Sequence, residues 1–251
     1  MPDTLLGPCA VVSCHVERLF DDAAWSRFVA LQTRRPGGFS MAALVRPADP
    51  AFGEDEAEWA ARARDAAARG PLGHHTHWTA PEHARPSSHG AGARVIAEGR
   101  RLRDLGLRVT HFCGGGWYTD AEVAEACAEL GYVDCTPRAK RPPYLGDDER
   151  WAMLAQPARI LLPSGRSLAA VPTTHSLGDL ARALLSRSLP HVVHVYFHDS
   201  DLLDRRRRAL VTALLRVLAR RRRPVDLETL SKEVIRGTST TPWAEVARGS
   251  A

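Results

Sequence analysis

The chain has 251 residues, 44% of them hydrophobic and 25% charged, proportions that support a full core and exclude a disordered or fibrous chain. No apolar run is long enough to span a bilayer. Residues 1–20 carry no basic leader ahead of their apolar stretch, so they read as a first strand rather than a secretory signal. The net charge of +5 comes almost wholly from arginine, since Lys140 and Lys232 are the only lysines.

Short β-branched runs alternate with longer helical patterns, the signature of βαβ units around a parallel sheet. A strand is expected at 9–13 and an amphipathic helix at about 23–32. A second strand over 39–45 is closed by Arg46-Pro47, and the alanine- and arginine-rich segment 54–69 reads as helix, with Trp59 and Ala63 on one face. Residues 72–77 form a third strand, 91–105 a helix ended by Gly106, and 107–113 a fourth strand cut short by Gly114-Gly115-Gly116. Thr119 is placed to cap the next helix, with Glu122 three residues on and Val123, Cys127 and Leu130 as its buried stripe.

A short fifth strand is expected at 132–135. Residues 137–172 are rich in Pro and Gly, with weak strand candidates around Ile160 and Ala169. Leu177, Leu180, Ala181 and Leu184 mark a further helix, and 191–197 is the best late strand. Leu203, Leu210, Leu214, Val217 and Leu218 then recur at helical spacing, and 224–227 supplies a last short strand. No repeat or long linker divides the chain. A single domain over 1–251, with its core at about 8–235, is the simplest account.

The arginine runs at 205–208 and 220–223 fall on the solvated face of that late helix, and no aromatic residues interleave with them as a stacking platform requires. Nucleic acid is therefore not expected as a partner. The five cysteines (Cys9, Cys14, Cys113, Cys127, Cys135) are scattered and contain no Cys-x-x-Cys pair, which excludes a zinc knuckle and a disulfide framework. The cytoplasm is the expected compartment.

Polar residues gather at the carboxyl ends of the strands, where parallel α/β barrels build their sites. The first strand ends in Ser13-Cys14-His15-Val16-Glu17, the third in Gly73-His74-His75-Thr76-His77-Trp78, and the fourth in His111-Phe112-Cys113 before the glycines, Trp117 and Tyr118. The fifth ends at Asp134, and the last in His194-Val195-Tyr196-Phe197-His198-Asp199. Alternation along a strand points His75 and His77 the same way, and likewise His15 and Glu17. Imidazole and carboxylate together suit zinc or a similar divalent ion. Each feature also has a plain structural use: a surface pair for the histidines, a salt bridge to Arg18 for Glu17, a tight turn for the glycines, and a helix cap for Asp199 or Ser200.

Across nearly the whole chain these blocks resemble the polysaccharide deacetylase (NodB-homology) superfamily. Residues 11–17 look like its strand-one motif, residues 73–78 like its metal-binding His motif, residues 112–118 like its Arg–Gly–aromatic motif, and residues 196–199 like its last motif. The resemblance implies a distorted (β/α) barrel of about seven or eight strands. It also implies a metal-dependent hydrolase that removes an N-acetyl group from an acetamido sugar, as in surface-polysaccharide or O-antigen-type biosynthesis. His75, His77 and His15 would hold the ion, zinc above all. Glu17 would be the general base and His198, with Asp199 beside it, the acid. Trp78, Trp117, Tyr118 and Asp134 would line the sugar site.

The sequence departs from the family pattern in three places. His15 stands where the family has aspartate, Cys113 where it has the bracing arginine, and Thr79 where the usual spacing puts a second histidine. Loss of both the aspartate and its arginine leaves no unpaired buried charge, which fits a retuned site and a retired one equally. A metal-independent C–N hydrolase, or a non-catalytic relative of the same fold, is the alternative.

Overall fold

The computed structural model describes residues 7–78, 90–143, 145, 149–186, 188–237 and 240–249. Its organising element is β1 (Cys9–Val16), eight residues buried on both faces, as expected for a central parallel strand. Successive units follow: α1 (Asp22–Arg34), β2 (Met41–Val45), α2 (Glu56–Ala67), β3 (Leu72–Thr76), α3 (Ala91–Asp104), β4 (His111–Gly114), α4 (Ala121–Glu129) and β5 (Val133–Asp134). Next come β6 (Trp151–Ala152), β7 (Ala158–Leu161), β8 (Ser167–Ala170), α5 (Leu177–Ser186), β9 (Val192–His198), α6 (Arg205–Ala219) and β10 (Arg223–Pro224). The chain ends with α7 (Leu227–Arg236), β11 (Thr240–Pro242), α8 (Trp243–Val246) and β12 (Ala247–Arg248). No helix among the described residues is long and apolar enough to cross a membrane.

From β9 and β10 the sheet runs through β1, β2, β3, β4 and β5 with every pairing parallel, then through β8 to β7, which is antiparallel to it, and to β11. The sheet curls, but no continuous ladder closes it among the described residues. One parallel bridge, His175 to Val195, spans the gap, with Thr174 N–H donating to His194 O at 3.0 Å and Tyr196 N–H to His175 O at 3.0 Å. The sheet is that of a distorted, incompletely closed barrel of mixed α/β type, with its irregular seam at this bridge.

The curl divides the strand side chains into two sets. Outward residues such as Val12, Cys14, Val16, Phe112 and Val195 pack with Phe28, Trp59, Val95, Leu215 and Leu218 of the helices. Inward residues Cys9, Val11, Leu44, Val133 and Val192 pack with Leu227, Leu230 and Val234 of α7. α7 thus plugs the end at which the strands begin, and each of its buried leucine and valine side chains contributes on the order of 2 kcal/mol. Asp226 caps it by accepting from Thr229 N–H at 2.7 Å. The apolar positions at i, i+3 and i+7 make this helix legible, although the sequence reading placed a strand over its first residue.

Three local expectations are corrected. The cap of α4 is Asp120, which accepts from Val123 N–H at 2.9 Å, and not Thr119, because a carboxylate also complements the helix dipole. Leu203 precedes α6, whose cap is Asp204. The fourth strand begins at His111, since residues up to Thr110 approach it as coil. The arginines at 205–207 are exposed, as expected of a solvated face.

Above the plug lies a layer of buried, neutral histidines. Thr110 Oγ1 donates to His111 Nδ1 at 2.9 Å, and His111 Nε2 donates to Ser231 Oγ of α7 at 3.0 Å. His194 is fixed in the same way between Ser13 (2.9 Å) and the Val171 carbonyl (3.2 Å). Burial pushes His111 and His194 down to about 4. Below pH 6.5 the unfolded chain therefore takes up a proton at His111 that the folded chain refuses until about pH 4, and stability is lost across that window. His111→Gln is less stable than the wild type at neutral pH. That deficit should narrow by roughly 2–3 kcal/mol towards pH 4 in urea titrations. A deficit independent of pH contradicts the assignment.

Candidate active site

β1 and β9 are in register from Cys9 with Val192 to His15 with His198, and β3 is in register with β4 at His75 and Cys113. The curl of the sheet brings the His75 ring across β2 to the His15 ring, with centroids 4.4 Å apart. One level higher, Glu17 and His77 extend the same inward faces. Glu17 Oε1 lies 3.2 Å from His75 Nε2, 3.4 Å from His77 Nε2 and 3.6 Å from His198 Nε2. Three imidazoles from two strands thus converge on one carboxylate oxygen. His15, Glu17, His75, His77 and His198 all lie at one end of the barrel, as alternation along the strands required.

Protonation follows from these contacts. Burial alone would raise the Glu17 carboxyl, but the hydrogen bonds from His75 and His77 outweigh it and hold Glu17 far below the usual carboxylate range. Burial pushes His75 down despite the opposing pull of Glu17, and burial with the neighbouring His75 and His198 pushes His15 well down. His75 Nδ1 lies 2.8 Å from the Cys113 carbonyl and Nε2 3.2 Å from Glu17 Oε1, so a neutral ring, with one N–H, donates to only one of them and turns an acceptor towards the other. Two acceptors at that distance need a proton or a cation between them. His15 Nε2 is likewise buried with no hydrogen-bond partner among the described residues.

Three donor sets have ligand atoms within 4.8 Å of one another: Glu17 with His75 and His77, Glu17 with His15 and His198, and His15 with His75 and Cys113. The first two are carboxylate–imidazole sets of the kind that suits zinc, and the Nδ1 bond of His75 to a carbonyl is the orientation a metal-bound imidazole needs. The third is softer, but burial holds the Cys113 thiol well above its ordinary value. The residues present fit a divalent ion, and Glu17 is the point shared by the two carboxylate–imidazole sets.

Other residues hold Glu17 in place. Arg46, at the end of β2, donates from Nε to the Glu17 carbonyl at 3.4 Å and pairs its guanidinium with Glu54, while Trp59 Nε1 donates to the Arg46 carbonyl at 2.7 Å. Asp199 is buried, and its Oδ2 accepts from Arg18 N–H at 2.8 Å and so positions the turn after Glu17, while its Oδ1 has no hydrogen-bond partner among the described residues. Burial raises its carboxyl to about 6.

The glycine run serves geometry. A Cβ at Gly114 would collide with the Tyr118 carbonyl, and Gly116 and Trp117 both lie at φ +62°. For Trp117 this is a strained conformation, of order 1 kcal/mol, that places its ring beside His15 at 5.3 Å. Of the four residues expected to touch a sugar, Trp78 and Tyr118 meet edge to face at 5.4 Å, and Trp78, Trp117 and Asp134 are buried. Trp78 is buried against Tyr118, with its Nε1 donating to Gly115 O at 2.8 Å, and Trp117 is buried under Arg138. Asp134 is fully buried, accepts from Thr136 N–H at 2.8 Å and is raised by burial to about 6. Tyr118 is partly exposed, with its hydroxyl donating to Asp120 at 2.6 Å. Thr79 lies outside the described residues.

No family model and no curated protein matches the sequence. Solved structures do match in fold. A protein of Mycobacterium smegmatis provisionally named a polysaccharide deacetylase superposes with a TM-score of 0.65 at 12% identity, over 97% of this chain and 94% of that one. A 4-alpha-glucanotransferase from Thermococcus litoralis gives 0.53 at 12% identity, over 89% of this chain and 38% of that one. A Bordetella bronchiseptica protein provisionally named a polysaccharide deacetylase involved in O-antigen biosynthesis reaches 0.46 at 14% identity, too loose a likeness to establish a fold. The chain has the mixed α/β fold of the first of these over nearly its full length.

The bond from Arg18 to Asp199 yields a direct test. Asp199→Ala leaves that N–H without its acceptor and should cost about 1–2 kcal/mol, whereas Asp199→Asn keeps a carbonyl there and should cost clearly less. Equal losses for the two variants in chemical denaturation would show that the bond does not hold the turn.

Proposed function

We propose that the chain is a divergent polysaccharide deacetylase-type hydrolase that uses a divalent ion, zinc above all, to remove the acetyl group from an acetamido sugar of a surface-polysaccharide precursor. The convergence of His75, His77 and His198 on Glu17 Oε1, with both ring nitrogens of His75 facing acceptors, carries this reading. The fold shared with a provisionally named deacetylase supports the class of reaction.

Glu17, His75 and His77 are the residues that would hold the ion. This differs from the sequence-based expectation, which made Glu17 the base and His15 a ligand. An oxygen surrounded by imidazoles at 3.2–3.6 Å is placed to bind a cation rather than to reach a water. A bound ion supplies Lewis acidity towards the amide carbonyl. His15 stands where the family has its aspartate, and its unpartnered Nε2 is assigned to take the proton of the attacking water. As water adds to the acyl carbon and the C–N bond breaks, His198 on the open rim gives a proton to the leaving amine. The products are acetate and the free amino sugar. Tyr118, half-buried beside the rim, is the sugar contact retained from the sequence reading, while Trp78, Trp117 and Asp134 stand behind the reacting groups.

Metal analysis and turnover test the proposal together. The purified protein should carry close to one divalent ion and release acetate from N-acetylated amino sugars. Glu17→Gln and His75→Ala should each weaken metal binding by more than about a hundredfold and abolish turnover. A metal-free protein without deacetylase activity, or activity that survives chelation, sinks the proposal.

A further inference from the structure

Arg138 follows β5 and projects towards the barrel mouth. Its guanidinium carbon lies 4.4 Å from the Trp117 ring centroid and 4.9 Å from that of Tyr196, and both of those rings flank His15. Its Nε and Nη1 are buried without any hydrogen-bond partner among the described residues, and it meets no carboxylate there. A guanidinium carries five N–H donors and no acceptor, so one partnered only by ring faces retains its demand for an oxyanion.

Beside it opens a pocket of about 570 Å³, within the range that holds small ligands. Its charged lining is Arg138, Lys140, Arg141 and Arg182 against a single carboxylate, Asp179, with His175 on the inner wall. Asp179 is spoken for by Arg182 at 2.6 Å and by Ser176, whose Oγ donates to it at 2.6 Å. Burial holds His175 below its ordinary value, so it adds little repulsion to the cations. The inner wall, Thr174 and His175, is the segment that bridges to β9 between His194 and Tyr196, which sets the pocket directly against the strand that carries His198.

We propose that this pocket binds an oxyanion, a phosphate or carboxylate, with Arg138 as its principal donor and Lys140 as a long-range attractor. The substrate class is then an acetamido sugar that carries such a group. In assigning the anion to the substrate the inference rests on the hydrolytic reading, but the binding itself does not.

Calorimetric titration with inorganic phosphate in one arm and glucuronate in the other, against chloride at equal ionic strength, tests it. The protein as purified and after chelation should both bind at least one probe, since the pocket lies apart from the metal ligands. The probe that binds identifies the source of the anion. Arg138→Gln should weaken binding by about tenfold or more, and the exposed Lys140→Gln by about two- to fivefold, an effect that fades with salt. Neither probe binding above chloride, or unchanged affinity in Arg138→Gln, overturns the proposal. Should Arg138→Gln fail to fold, unchanged affinity in the Lys140→Gln/Arg182→Gln double variant overturns it instead. Loss of binding leaves the deacetylase reading intact, and loss of turnover leaves this one intact.

Discussion

A carboxylate set among three imidazoles dominates the barrel mouth. Glu17 is only a quarter exposed, and a charge in such a place persists only when it is paired. Burial disfavours the charged form of His75, and a neutral His75 ring can donate to Glu17 or to the Cys113 carbonyl but not to both. A divalent ion between Glu17 and the imidazoles would satisfy both contacts of His75 and the carboxylate together. The surrounding bonds then read as supports for one residue: Arg46 on its carbonyl, Asp199 on the next N–H, and the parallel register of β1 with β9 beneath it.

The barrel interior is graded along its axis. The bottom layer is aliphatic, plugged by α7. Above it stand His111 and His194, each neutral and fully hydrogen-bonded, which lets imidazole fill the interior at little cost. Higher still come His15, Cys113, Trp117 and Tyr196, and the rim carries Glu17, His77 and His198. On β1 the gradient is Val11, Ser13, His15, Glu17, and on β9 it is Val192, His194, Tyr196, His198. Inward positions thus run from aliphatic at the bottom to titratable at the mouth.

The part of this that the sequence disclosed is the part governed by a period of two. His15 with Glu17 and His75 with His77 share faces because strands alternate, and their convergence needed only a sheet that curls. The sequence could not show which face of the chain around Trp78, Trp117 and Asp134 would be packed, since burial there depends on the turn through Gly114 and on a positive φ at Trp117. Nor did it disclose Arg46 and Arg138. The first looked like a strand end, and the second sits in a Pro-rich stretch without periodicity, where only the fold brings it over Trp117 and Tyr196. The plug was legible as Leu227, Leu230 and Val234 at helical spacing behind an Asp cap, but an extended Pro224-Val225 pair masked it.

The central claim is that Glu17, and not Cys113, shares a cation with His75 and His77. X-ray absorption at the zinc edge of the zinc-loaded protein measures this directly. Nitrogen and oxygen ligands give a shell at about 2.0–2.1 Å, and a thiolate adds one near 2.3 Å. The account predicts the first shell alone, with imidazole scattering that diminishes in His75→Ala. A sulfur shell, or a protein that holds no zinc, would contradict it.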